Sequence, residues 1–152
     1  MMAFVPTPAI HEVEILENNS GLHDEILCAR LQLIPVRGDQ GAIMTLNVTG
    51  PCIVTSNNLA GPQATCIPEI LICKLGHGQR LNLRTVIEIG TGFHNAKWAP
   101  ITTFLYPMEL VDVSSYLCAV HLTGSVTGKQ LIEKTLELLP PVQHPVKYYF
   151  SA

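Results

Sequence analysis

Charge is scarce in this chain. Only 14% of its 152 residues are Asp, Glu, Lys or Arg, against 47% hydrophobic ones. A small domain has much surface for its volume, so few charges leave part of that surface apolar, and the composition predicts burial against partners. The formal net charge is −3. No basic tract or Lys/Arg-rich helix is present, which argues against autonomous nucleic-acid binding through phosphate neutralisation. No stretch has the length of a membrane-spanning helix, so no membrane association is expected. Met1–Pro8 lacks the basic start and apolar core of a signal peptide, so the chain reads as intracellular. Internal repeats and low-complexity segments are absent too.

Cys28, Cys52, Cys66, Cys73 and Cys118 are odd in number, scattered, and without a Cys-x-x-Cys pair. Neither a zinc knuckle nor a disulfide framework is indicated, and five reduced, mostly buried thiols are expected. His11, His121 and His144 show no metal-ligand spacing, and His77 between two glycines reads as a turn residue. No metal and no cofactor is expected. The sequons at Asn18 and Asn47 carry little weight without a secretion signal.

The length allows one domain, or a compact domain with an insert. Residues 9–17 alternate as a half-buried strand, with Ile10, Val13 and Ile15 as apolar contacts. Asn18-Asn19-Ser20-Gly21 is turn chemistry, and Ser20 is a candidate cap for a helix over 22–34 with Asp24 and Glu25 in its first turn. Pro35 ends that helix. Strands are expected over 42–49, 52–56, 69–75, 80–89, 101–106 and 115–123, with a loop between 57 and 68. A second helix, 127–139, presents Leu131, Ile132, Thr135, Leu136, Leu138 and Leu139, and Pro140-Pro141 stops it. The tail from Val142, with Tyr148-Tyr149-Phe150, is a last strand or a docked arm. The pattern is α+β: helices on a sheet, interrupted by a β-rich insert.

Gly90-Thr91-Gly92-Phe93-His94-Asn95-Ala96-Lys97-Trp98-Ala99-Pro100 is the most informative stretch. Its glycines permit tight backbone geometry, and it carries the only tryptophan of the chain beside a lysine. An exposed Lys-Trp pair would offer a cation and a flat apolar surface to a protein partner.

This loop resembles the Gly-x-Gly…Ala-Lys-Trp-x-Pro segment of the α-like subunits of multisubunit RNA polymerases, eukaryotic, archaeal and, more distantly, bacterial. Three further blocks are similar to the same family and fall in the expected order. Val5-Pro6-Thr7-Pro8-Ala9-Ile10 leads into Leu22-His23-Asp24-Glu25 and the Ala29-Arg30-Leu31-Gln32-Leu33-Ile34-Pro35 ending. Gly78-Gln79-Arg80-Leu81-Asn82-Leu83-Arg84 precedes the Lys-Trp loop. Thr123-Gly124-Ser125 precedes the Leu131–Leu139 helix. Together they cover most of residues 6–139.

The resemblance implies an α-subunit-like dimerisation domain from 1–40 and 113–152, with its first strand and helix missing, around a β-rich insert domain at 41–112. It implies a non-catalytic scaffold of a DNA-directed RNA polymerase that pairs with a smaller α-like subunit and docks the second-largest subunit. DNA is met only through the complex, in the nucleus of a eukaryote or the cytoplasm of an archaeon. Partner contacts are expected at His23, Asp24, Glu25 and Arg30 of the first helix, at Arg80 and Arg84, at Lys97 and Trp98, and at Leu131, Thr135 and Leu138 of the last helix.

Departures from the family pattern are also visible. Asn95 stands where the family usually has His. Val36–Gln40 replaces a cysteine-rich metal loop, acidic segments between Tyr106 and Ser115 are missing, and the Asn-x-Leu-Arg-Arg region of the first helix is absent. The chain thus reads as a reduced member, a fragment of a split subunit, or a degenerate paralogue acting alone as a protein-binding or regulatory module.

Each site also has a plainer reading. His23, Asp24 and Glu25 are acid–base material that would suit a small hydrolase, yet adjacent helical residues diverge in direction, and helix capping or an interface explains them better. Trp98 is alternatively a core anchor, and Lys97 a solvated residue. Arg80 and Arg84 share a strand face and pair with a partner's acids or simply with solvent. Residues 124–130 mimic a phosphate loop but are one residue short, and Gln130 replaces its Ser/Thr.

Overall fold

A computed structural model describes residues 4–107 and 116–138, without the side chains of 102–121. The strands are β1 (Thr7–Asn18), β2 (Val36–Gly38), β3 (Ile43–Thr49), β4 (Cys52–Thr55), β5 (Ala64–Cys66), β6 (Leu71–Leu75), β7 (Arg80–Gly90), β8 (Ile101–Pro107) and β9 (Tyr116–Leu122). The helices are α1 (Asp24–Gln32) and α2 (Gly128–Glu137). The chain is a strand-rich mixture of α and β. Pro140-Pro141 and the tail from Val142 lie outside the described residues.

β7 is the centre of the main sheet, antiparallel to β1 on one side and β3 on the other. Its alternation decides this: Leu81, Leu83, Thr85 and Ile87 are buried, while Arg80 and Arg84 on the opposite face are exposed. The buried row joins Met44 and Leu46 of β3, Ile72 and Leu75 of β6, and Leu27 and Leu31 of α1 in one apolar cluster. Among the described residues, β2–β5, β4–β6 and β8–β9 form two-stranded ladders besides the main sheet. A smaller cluster packs Leu131 of α2 with Val126 and Val5, and with the half-buried Ile101.

β1 departs from simple alternation. Ile10 pairs with Ile87 and Glu12 with Val86, so His11 is an extra residue in a bulge, and a second bulge falls between Ile15 and Glu17. Ile10 and Val13 both pack on the core although three positions apart, an odd spacing that a regular strand cannot satisfy.

Several local expectations are corrected. Ser20 does not cap α1. Its hydroxyl donates to Asn18 Oδ1, closing the turn, and the N-cap residue is His23 with no side-chain cap bond. The segment 57–68 is not all loop, because Ala64–Cys66 pairs with Val36–Gly38. Both strands have only three residues, too few to display a period. Among the four described cysteines only Cys73 is buried, the others being half-buried, and all four are free. Burial pushes the Cys66 thiol up to about 11. Burial also raises Cys28, helped by Asp24 and Glu25, so neither is a ready thiolate.

Candidate functional site

The Gly90–Pro100 loop folds back against the bulge of β1. Trp98 ends a 3-10 turn, Ala96–Trp98, whose N-cap is Asn95, its side-chain oxygen accepting from the Lys97 amide at 3.0 Å. Asn95 therefore has a local structural role. Trp98 is not exposed: only 9% of its surface meets solvent. The indole lies against the backbone of Gly90, where any Cβ would overlap its ring carbons. Its Nε1–H donates to Glu88 O at 3.1 Å, and the His11 ring stacks on it with centroids 5.5 Å apart. The expectation of an exposed Lys-Trp pair is corrected accordingly. Trp98 anchors the loop, and the half-buried Lys97 presents the charge.

Lys97 Nζ sits 4.5 Å from the indole centroid and 2.6 Å from His11 Nδ1. With Lys97 as the ammonium, which only donates, Nδ1 is the acceptor and a neutral ring carries its proton on Nε2. Nε2 is 3.0 Å from Glu88 Oε2, an oxygen closed to solvent that accepts no well-directed hydrogen bond. Burial pushes the Lys97 ammonium below the usual lysine range, with the Glu88 carboxylate acting in the opposite sense. Beside this array, an open cleft of about 220 Å³ is lined by His11, Glu12, Gln40 and Gly41 with residues 86–88 of β7. His11 and Glu88 were invisible as site residues in the sequence. The odd Ile10–Val13 spacing is the signal that points to a bulge at His11.

The other candidate residues lie apart from this array. Arg84 Nη1 is 3.8 Å from Glu14 Oε2 and Arg80 Nη1 is 3.3 Å from Glu17 Oε2, both glutamates on β1. These arginines share a face, and their acidic partners are in this chain. Arg30 Nη1 donates to Ile72 O at 2.7 Å, tying α1 to β6. His23, Asp24 and Glu25 are exposed at the start of α1, and Asp24 accepts from Asn18 Nδ2. On α2, Leu131 is buried, Thr135 half-buried and Leu138 exposed. Gln130, which spoils the phosphate-loop pattern, completes a capping box with Thr127. Among the described residues no cluster of three metal-binding side chains occurs, and no helix is long and apolar enough to cross a membrane.

Comparison with known proteins gives this architecture a relationship. The family model described as the RNA polymerase Rpb3/RpoA insert domain matches residues 5–102. DNA-directed RNA polymerase subunit Rpo3 of Methanocaldococcus jannaschii is 33% identical over an alignment of 145 residues that covers 91% of this chain and 74% of that protein. The chain belongs to the Rpo3/Rpb3 family of α-like RNA polymerase subunits. Other family members are similar over less of their own length. Rpo3 of Thermococcus kodakarensis is 32% identical over 90% of this chain and 56% of its own. RNA polymerase II subunit rpb3 of Dictyostelium discoideum is 33% identical over 74% and 49%. The chain thus spans about half the length of several curated relatives and three quarters of the methanogen protein. The family match runs continuously from the entry to β1 through α1, the main sheet and the Lys97 loop.

Proposed function

We propose that this chain is a non-catalytic assembly subunit of a DNA-directed RNA polymerase. The observation that carries this is the family match across the whole of the main sheet and the clasped loop. In this reading, residues 1–40 and 113–152 form the dimerisation-type portion and pair with a smaller α-like subunit through Thr135, Leu138 and the neighbouring exposed Leu136 of α2, while Leu131 is taken up by the chain's own core. Residues 41–112 form the β-rich insert portion. The second-largest subunit is met through Lys97, α1 from His23 to Arg30, and the arginines of β7, which lie on more than one side of the main sheet. Leu33 and Phe93, 70% and 68% exposed, support a chain that is covered in its working state. Trp98 contributes by holding Lys97 in place. Phosphoryl transfer belongs to the large subunits, and DNA is met only within the complex. The setting is intracellular, nuclear in a eukaryote and cytoplasmic in an archaeon.

The test is an affinity pull-down of the tagged chain from its native cells in low salt, with mass spectrometry of the partners. Recovery of the two largest polymerase subunits and a small α-like chain, reduced by Lys97→Glu, is expected. Recovery of the chain alone, or with unrelated proteins, would overturn the scaffold reading in favour of a paralogue that has left the polymerase.

A further inference from the structure

We propose that Lys97 is a covalent acylation site, its ε-amine accepting the acyl group of a thioester with His11 as general base and Glu88 as the charge partner of His11. Three placements carry this. His11 Nδ1 lies 2.6 Å from Lys97 Nζ, where a base must stand to take a proton from an attacking amine. The other ring nitrogen lies 3.0 Å from Glu88 Oε2, a solvent-closed carboxylate oxygen whose charge favours an imidazolium at that distance although the two are not aligned as a hydrogen bond. The bulge of β1 falls at His11, whose ring meets Trp98, Lys97 and Glu88. Lys97 itself is only half-buried, and an open cleft lies beside its partners His11 and Glu88.

Burial supports the chemistry by raising the share of free amine. Other lysines differ. Lys129 Nζ is 3.9 Å from Glu133 and Lys134 Nζ donates to Pro6 O, and among the described residues no other lysine stands beside an imidazole nitrogen.

The step balances without an oxidant or reductant. The free amine of Lys97 attacks the thioester carbonyl, forming the N–C bond as the carbonyl opens. The surplus proton on nitrogen passes to His11 Nδ1, and the imidazolium pairs with Glu88. Collapse of the tetrahedral intermediate breaks the C–S bond, and the leaving thiolate takes the proton from His11. The products are an amide at Lys97 and a free thiol. The amide is neutral, so the charge over Trp98 is lost. The proposal concerns the free chain, before any partner covers Lys97, and does not depend on the polymerase reading.

The test uses the full chain with acetyl coenzyme A as the probe and peptide mass spectrometry at each lysine. Lys129, whose side chain is 82% exposed, is the internal reference. Lys97 is expected to acetylate faster than Lys129 by about tenfold, a modest part of what a positioned general base supplies. His11→Phe, which keeps a ring on Trp98, and Glu88→Gln are each expected to bring Lys97 down towards the Lys129 rate without changing Lys129. Equal rates at Lys97 and Lys129 in the unmodified chain would overturn the proposal, and that comparison needs no variant to fold. An unchanged Lys97 rate in a folded His11→Phe variant would overturn it equally.

Discussion

Gly90 and Trp98 are complementary: the indole occupies the space that any side chain at position 90 would need. The loop's tryptophan can be buried only because the strand that leads into it ends in glycine. Gly90→Ala forces the indole out of its seat, and overpacking of this kind costs about 1–3 kcal/mol. The expected outcome is a lower denaturant midpoint, with Trp98 fluorescence shifted to the red. Unchanged emission would show that the ring has another seat.

Ile87 lies on the buried row of β7 and is fully closed to solvent. Truncating a core residue loses transfer energy and leaves a cavity, so Ile87→Ala is expected to cost about 2–5 kcal/mol. Urea unfolding followed by far-ultraviolet circular dichroism measures it.

Arg84 provides the contrast. It faces Glu14 at 3.8 Å, with both side chains well exposed. Exposed pairs contribute about 0–1 kcal/mol, and salt screens them further. Arg84→Ala should therefore shift the unfolding midpoint little, and less still at high salt. A large loss would mean that the arginine supports the sheet in some way besides its ion pair.

Cys66 predicts a pH dependence. Burial raises its thiol from 9.0 to about 11 in the folded chain. Between those values the unfolded chain has already released the proton that the folded chain retains. Its contribution is therefore complete below pH 9.0 and is lost as pH rises through about 11. Cys66→Ala should lose less stability than the unmodified chain across that interval, read as the difference between their denaturation midpoints. Identical pH profiles would contradict the assignment.

Thr127 caps α2, its hydroxyl accepting from the Gln130 amide at 3.3 Å. Thr127→Ala should cost about 1 kcal/mol. Thermal unfolding checks this, and Thr127→Ser should retain most of the stability.

Much of this was legible along the chain. β7 follows from the alternation between Arg80 and Ile89, the end of α1 from Pro35, and α2 from the apolar spacing that follows Thr127, because each is set by contacts within a few residues. The family resemblance was legible for the same reason: its motifs are runs of neighbouring residues. β2 and β5 were not, since three-residue strands carry no period and exist only through each other. The capping of α1 was misread because Asn18 competes for the Ser20 hydroxyl.

The functional site divides along the same line. Sequence by itself determined that Lys97 and Trp98 share a glycine-bounded loop and that Arg80 and Arg84 share a strand face. Only the tertiary structure decided that Trp98 is buried, that the arginines meet Glu14 and Glu17, and that His11 reaches Lys97 across 86 positions. The physical reason is that periodicity and turn chemistry act over a few residues, whereas burial and charge pairing depend on which strands become neighbours. That choice rests on the register of β1 against β7, bulges included.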